Sequence, residues 1–434
     1  MAGNSKSAKV TVIGAGYVGV PTAAVLAHFG HEVVLAESNP ARYDLLVRGE
    51  SPIVEKGLEE LLGEGLSSGK LRIARSAAEA VEGAEFVFLC VPTPQGSDGS
   101  ADLSFVEAVS EEIKTSLRTG AIVVNKSTVP VGTAGLVERV TDRDDIKVVS
   151  NPEFLREGTA VADSLHPDRI VVGADDPAAA QRVGELFSAT GAPLIVTTTT
   201  TAETIKYASN AFLATKLSFV NAIAALCEAV GADVRDLVLG LGYDKRIGFE
   251  FLRPGPGWGG SCLPKDTAAL VHIAESAGYD FALLRGAMAQ NDEQLDRVVK
   301  KITEAAGGSL ESVAVAVWGL TFKADTDDRR CSPAAEITGR LVRAGAKVTA
   351  YDPTVATNEE GHDLIGVTLS ADPYEACRGA AVVALLTEWD EFRWLDFEKV
   401  ADLMDHASVV DARNLLDPRA LRNKGFDYTG IGRP

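Results

Sequence analysis

Cysteine is scarce in this chain of 434 residues. The five present (Cys90, Cys227, Cys262, Cys331 and Cys377) never fall into CxxC spacing, so neither a zinc site nor a disulfide framework is indicated, and a reducing compartment, the cytoplasm, is expected. Positive charge is also in short supply. A formal net charge of −19 argues against a nucleic-acid partner and against an anionic membrane surface, because either polyanion would be repelled. Any anionic ligand must then be held by a few specifically placed Lys and Arg. Near the N-terminus, Val10–Ala27 is long and apolar enough to imitate a membrane span. Three glycines and a proline interrupt it, so a strand, a tight turn and a buried helix are expected instead.

What is present is organised for more than one core, since a chain of this length divides into two or three domains. The runs VTVIGAG, HEVVLAES, AEFVFLCVPTP, AIVVNKSTVP, KVVSNPEFLREG and RIVVGA read as strands buried on both faces, which implies parallel sheet. Between Ala202 and Val230 there is no Gly or Pro and apolar residues fall on most sides, the pattern of a long buried helix. More helix is expected from Thr267 to Ala306. SVAVAVWGLTFK, KVTAYDP, AAVVALLTEW and SVVDARNLL then repeat the rhythm of the first strands. The expected architecture is α/β: two doubly wound Rossmann-like domains joined by a long central helical segment, with domains at 1–200, 201–306 and 307–434.

Gly14, Gly16 and Gly19 follow the first strand and open a helix, the context in which GxGxxG binds a dinucleotide pyrophosphate. Glu37 ends the next strand, where a carboxylate accepts from a ribose diol and repels a 2′-phosphate, so NAD is favoured over NADP. Arg42 nearby pulls the other way. Glu153 and Glu157 are four apart, so on a helical turn they share a face, and two like charges would raise at least one pKa. The plainer alternative is a solvated acidic turn paired with Arg156 or Arg169. Lys206 and Asn210 are also four apart, on the otherwise apolar helix. A buried ammonium needs an anionic partner, which a developing oxyanion would supply; a Lys that snorkels to the surface is the alternative. Cys262 follows a glycine-rich loop, and Pro264 fits the first turn of a helix. The thiol would then sit at the helix's positive end, where the thiolate is favoured, with Asp266 one turn along.

Seven motifs in series, GAGYVG, VPTP, KSTVPVGT, NPEFLREGTAVAD, KYASNAF, GPGWGGSCLPKD and GLTFKADTDDRR, resemble those of the nucleotide-sugar 6-dehydrogenases, the UDP-glucose/GDP-mannose dehydrogenase family, over nearly the whole chain. The resemblance implies oxidation of a sugar C6 alcohol to a carboxylate with two NAD+, through a thiohemiacetal and a thioester on Cys262. It implies oxyanion stabilisation by Lys206 and Asn210, a water held by Thr128 and Asp266, and hydrolysis assisted by Glu153. For the cofactor it adds Arg42, Thr93, Thr128, Glu157, Lys265 and Arg330 to the glycines and Glu37. For the sugar nucleotide it offers Glu153, Lys206 and Asn210 with Phe251, Leu252, Arg253, Gly255, Gly259, Lys323 and Arg413, and Arg246 from a neighbouring subunit of a homodimer or higher oligomer. No metal is implied.

Two positions depart from the family pattern: Lys56 stands where proline is usual, and Glu37 where Asp is commoner. EFLREGTAVAD with Gly158 looks more like the branch that acts on UDP-glucose, while dTDP-glucose, GDP-mannose and N-acetylated UDP-sugars remain open. Readings of another class are a hydroxyacid dehydrogenase of the 6-phosphogluconate type and a non-catalytic NAD-binding protein.

Overall fold

The computed structural model describes residues 7–96 and 100–433. The chain folds as two compact units, residues 1–209 with 268–277, and residues 210–267 with 278–434.

In the first unit, β1 (Lys9–Ile13), β2 (Glu32–Ala36), β3 (Leu71–Ala74), β4 (Phe86–Leu89), β5 (Ile122–Asn125), β6 (Lys147–Ser150), β7 (Ile170–Gly173) and β8 (Leu194–Thr197) form one sheet in the order β3-β2-β1-β4-β5-β6-β7-β8. All pairings are parallel except β6 with β7, which meet antiparallel only at Ser150 and Gly173. Strand alternation explains why both faces are covered. Val10, Val12, Phe86 and Phe88 enter one apolar cluster, whereas Ile13, Val87 and Leu89 enter the other. Each fully buried Phe, Leu or Val contributes about 1.5–3 kcal/mol. The apolar run after β1 forms the helix Gly19–His28, buried except at its last residue.

The second sheet has β9 (Ala314–Trp318), β10 (Lys347–Tyr351), β11 (Val367–Leu369), β12 (Val382–Leu385), β13 (Ser408–Asp411) and β14 (Asp427–Gly430) in the order β11-β10-β9-β12-β13-β14. This order matches that of the first six strands of the other unit, so the repeated rhythm in the sequence reflects a repeated topology. Val315, Val317, Val382 and Ala384 pack on one face. Ala316, Trp318, Val383 and Leu385 pack on the other, where Trp318 stacks on Phe392 at 5.4 Å. The fold is thus the expected one, two doubly wound α/β domains joined by a long helix.

That helix spans Thr199–Val230 and is less buried than its composition suggests. Only 33% of its most apolar 18-residue window is buried. Ala214, Ser218 and Asn221 turn inward, while Phe212, Phe219, Leu226 and Val230 are exposed. The helical stretch expected from Thr267 to Ala306 is two helices, Leu263–Ser276 and Ala282–Ala305.

Candidate active-site clusters

At the first glycine turn, Gly14 has φ +100, and a Cβ there would lie 2.5 Å from the Cys90 carbonyl oxygen. Only glycine makes this turn without moving β4. A Cβ built on Gly16 would meet nothing within 4 Å, so the backbone is open to a close-approaching pyrophosphate. Glu37 is buried just past β2, and its carboxylate accepts from the backbone N–H of Asn39 at 2.7 Å and of Ala15 at 3.3 Å. Arg42 is exposed. These features fit a dinucleotide bound at this turn. Thr93, at the end of the β4 loop, donates its hydroxyl to the Thr128 carbonyl at 2.8 Å, joining two of the expected ligand-binding residues.

A second cluster gathers around Glu153. NPEFLREG is not helical: residues 151–156 are irregular and Glu157 lies in a turn. Pro152 explains this, since it disfavours helical backbone at Asn151 and supplies no N–H of its own. The helical-face argument for Glu153 and Glu157 therefore fails. The expected rise of a shared acid's pKa fails for Glu153 as well. Burial alone would push its carboxyl up, but the charge and hydrogen bond of Lys206, joined by the Leu155 N–H and Lys126, hold it below the usual carboxylate range. Lys206 Nζ sits 2.8 Å from Glu153 Oε1, with both side chains almost wholly buried. Lys206 does not snorkel. Of the arginines considered as partners, Arg156 pairs with Asp163 at 2.6 Å, and Arg169 lies over the Phe154 ring at 3.6 Å.

In the second unit, Cys262 is exposed and directly precedes the helix Leu263–Ser276. Asp266 is fully buried one turn into that helix. Its carboxylate accepts from Asn210 Nδ2 at 2.5 Å and pairs with Lys265 Nζ at 2.5 Å. Asn210, one turn beyond Lys206 on the central helix, therefore fixes the acid one turn along from Cys262. Cys90, Cys227 and Cys377 are buried, and Cys331 is exposed.

Around the glycine loop, Leu252 and Gly259 are buried, Phe251 is partly buried with φ +60, and Arg253 is exposed. A Cβ on Gly259 would lie 2.0 Å from the Cys331 carbonyl oxygen. Gly255 donates its N–H to Asn221 and accepts from Gln294, while Asn291 and the Trp258 backbone exchange two bonds at 2.8 and 3.0 Å. Arg413 reaches the Phe322 carbonyl at 2.7 Å and Glu388 at 2.9 Å. Lys323 lies over Phe322. Arg330 forms a fork with Asp328. Arg246, its side chain 88% exposed, is bound to Asp244 and lies outside these clusters.

Two charged residues that sequence reasoning passed over are buried in the first unit. Lys126 is buried and donates to Asn151 Oδ1 at 3.0 Å; Glu203 is buried and accepts three hydrogen bonds. The signal was available in both cases: a charge inside the apolar runs AIVVNKSTVP and AETIKYASN.

Family models match in three consecutive stretches: the UDP-glucose/GDP-mannose dehydrogenase family's NAD binding domain over residues 8–190, its central domain over 200–293 and its UDP binding domain over 316–418. A UDP-glucose 6-dehydrogenase of Rhizobium meliloti is 45% identical, covering 98% of this chain and 100% of its own length. One from Pseudomonas aeruginosa is 43% identical, covering 98% of each. Among solved structures, a UDP-glucose dehydrogenase from Pyrobaculum islandicum superposes with a TM-score of 0.90 at 38% identity over 100% of both chains. With all three domain models met in order and near-full-length identity above 40%, the chain belongs to the UDP-glucose/GDP-mannose dehydrogenase family.

Proposed function

We propose that this dehydrogenase oxidises the C6 alcohol of UDP-glucose to the carboxylate of UDP-glucuronate, consuming one water. NAD+, which Gly14, Gly16, Gly19 and Glu37 would hold at the glycine turn, would supply the hydride acceptor for each of two successive oxidations. The observation that carries this reading is Cys262 at the head of a helix, with Asp266 locked one turn along by Asn210. A dehydrogenase that stopped at the aldehyde would need no thiol there.

The alcohol first loses a proton and a hydride to give the aldehyde. The Cys262 thiolate, favoured by the helix's positive end, adds to the carbonyl carbon and forms a thiohemiacetal. Loss of a second hydride and a proton leaves the thioester, and water then displaces the sulfur and releases the acid. Lys206 and Asn210 stabilise the oxyanions, each such donor being worth about 3 to 4 kcal/mol of barrier. Thr128 and Asp266 hold the water, and Glu153, kept ionised by Lys206, assists its attack.

For NAD+ we assign Gly14, Gly16, Gly19, Glu37, Arg42, Thr93, Thr128, Glu157, Lys265 and Arg330. For the sugar nucleotide we assign Phe251, Leu252, Arg253, Gly255, Gly259, Lys323 and Arg413, together with Glu153, Lys206 and Asn210. We set functional boundaries at 1–200, 201–306 and 307–434, a division that the three matched family segments support. The exposed stripe of Phe212, Phe219 and Leu226 supports a homodimer built on the central helix, with Arg246 acting in the neighbour's site. Five free cysteines support a cytoplasmic setting.

The test is stoichiometric. Two NADH per UDP-glucose, and faster turnover of it than of dTDP-glucose, GDP-mannose or UDP-N-acetylhexosamines, is the expected result; one NADH per sugar would sink the reading.

A further inference from the structure

We propose that Glu203 is a positioning residue whose carboxylate ties together the three chain segments carrying Thr128, Glu153 and Lys206. The inference rests on the function proposed above, in which those three residues act on substrate or water. Glu203 is 3% exposed and stands three residues before Lys206 on the central helix. Its Oε2 accepts from the Gly132 N–H at 2.7 Å. Oε1 accepts from the Ala134 N–H at 3.1 Å and from the Ser150 hydroxyl at 2.9 Å. Gly132, four residues past Thr128, is the left-handed N-cap of the helix Thr133–Thr141 and has no side chain with which to cap it. Ser150 ends β6, three residues before Glu153. One carboxylate, carried by the central helix, thus bonds both to the start of the helix that follows β5 and to the end of β6.

The arrangement is costly by comparison with the simple alternative. A Ser or Asp at the N-cap would satisfy the same helix locally, whereas Glu203 takes a carboxylate into the interior, where burial pushes its pKa up against the pull of its backbone and hydroxyl donors. Its bonds from Gly132, Ala134 and Ser150 all come from neutral donors, so the partial positive charge at the helix N-terminus compensates the buried carboxylate. A local cap would fix one helix; this one fixes it relative to two other elements. β5 and β6 pair directly up to Asn125 and Ser150, but packing beyond their ends is incomplete. A small cavity, about 10 Å³, is lined by Asn125, Thr128, Ser150, Glu203 and Lys206 among others, and the Asn125 amide there, 2% exposed, has no hydrogen-bond partner among the described residues. Without the Glu203 bonds, Thr128, Glu153 and Lys206 have room to drift.

Glu203→Gln keeps the side chain's size but turns an NH2 group toward N–H donors. Wild-type enzyme yielding two NADH per UDP-glucose secures the underlying reading; a different yield would bring down that reading and this inference with it. Given that yield, the variant's kcat should fall about 10- to 100-fold, the scale of a misplacement near 1 Å. KM for UDP-glucose and for NAD+ should stay within about threefold, because most of the residues assigned to each ligand lie outside the three segments that Glu203 ties. Ser150→Ala removes one donor and spares the helix cap, so it decides the matter if Glu203→Gln does not fold: kcat should drop a few-fold at constant KM. Both rates are normalised to folded enzyme. Unchanged kcat in the folded fraction of these variants, or a loss carried by KM instead, overturns the proposal.

Discussion

Lys206 Nζ and Glu153 Oε1 stand 2.8 Å apart, in side chains only 4% and 6% exposed. A buried pair of this kind is weak evidence of net stabilisation, but breaking it leaves an uncompensated charge in the interior. Lys206→Ala should therefore act twice. Stability should fall by about 3 to 5 kcal/mol, read by denaturant unfolding, with much of the loss recovered in the Lys206→Ala/Glu153→Gln double variant. Independently, kcat should fall about 10²- to 10³-fold while KM changes little, as loss of an oxyanion donor requires. A loss borne mainly by KM would remove Lys206 from the chemistry.

The Glu153 carboxyl, held below its ordinary range, also sets a pH dependence. A depressed carboxylate stabilises the fold above its unfolded pKa, and that contribution is lost as pH falls through the folded value. In Glu153→Gln the acid limb of the unfolding profile should flatten below about pH 4. A profile superimposable on wild type after correction for a constant offset would contradict the paired geometry.

Cys262→Ser replaces the thiolate with a hydroxyl that is a far weaker nucleophile at neutral pH. UDP-glucose should bind within about threefold of wild type, while formation of the acid falls by about 10³ or more. Mass spectrometry of wild-type enzyme under turnover should show the acyl adduct on the peptide bearing Cys262, and the variant should show none. Wild-type acid production by the variant would exclude covalent catalysis at this position.

Lys126 offers a second pH test. Burial lowers its ammonium to about 8, against the upward pull of Cys90 and Glu153. An unfolded lysine titrates near 10.4, so through about pH 8 to 10 the unfolded chain binds more protons and stability from this group rises with pH. The unfolding free energy of Lys126→Met relative to wild type should accordingly decline by about 2 kcal/mol between about pH 7.5 and 10. A difference independent of pH would mean that the ammonium is solvated.

The strands were legible because they are buried on both faces: β4 and β12 are unbroken apolar runs, and β1 and β5 depart from one only at Lys9, Thr11 and Asn125. β3, β8, β11 and β14 were not, since each of them carries exposed or half-exposed positions. In the site, Cys262, Asp266 and Asn210 could be read from helical spacing and glycine context. The partnership of Lys206 with Glu153 spans 53 positions between a helix and an irregular loop, and no periodicity reports a contact of that kind. The long helix misled by composition. An apolar face gives the same pattern whether it meets the chain's own core or another subunit.

That last ambiguity can be resolved. Phe212, Phe219 and Leu226 recur every seven residues, 68%, 51% and 54% exposed, a spacing that keeps all three on one side of a helix. A second copy of the chain, meeting this stripe by two-fold symmetry, would bury it against itself. Phe219→Glu would place like charges together across the axis, and light scattering should show dimer for wild type and monomer for the variant. If Arg246 serves the neighbour's site, the two functions can be split between chains. Arg246→Ala alone lacks the arginine and Cys262→Ser alone lacks the nucleophile, but a mixed dimer assembles one complete site. Equal mixing with free subunit exchange should restore about a quarter of wild-type activity, since half the dimers are mixed and each has one working site of two. Recovery should vanish when both partners also carry Phe219→Glu. No recovery from exchanging dimers would place Arg246 in its own chain's site or outside the chemistry.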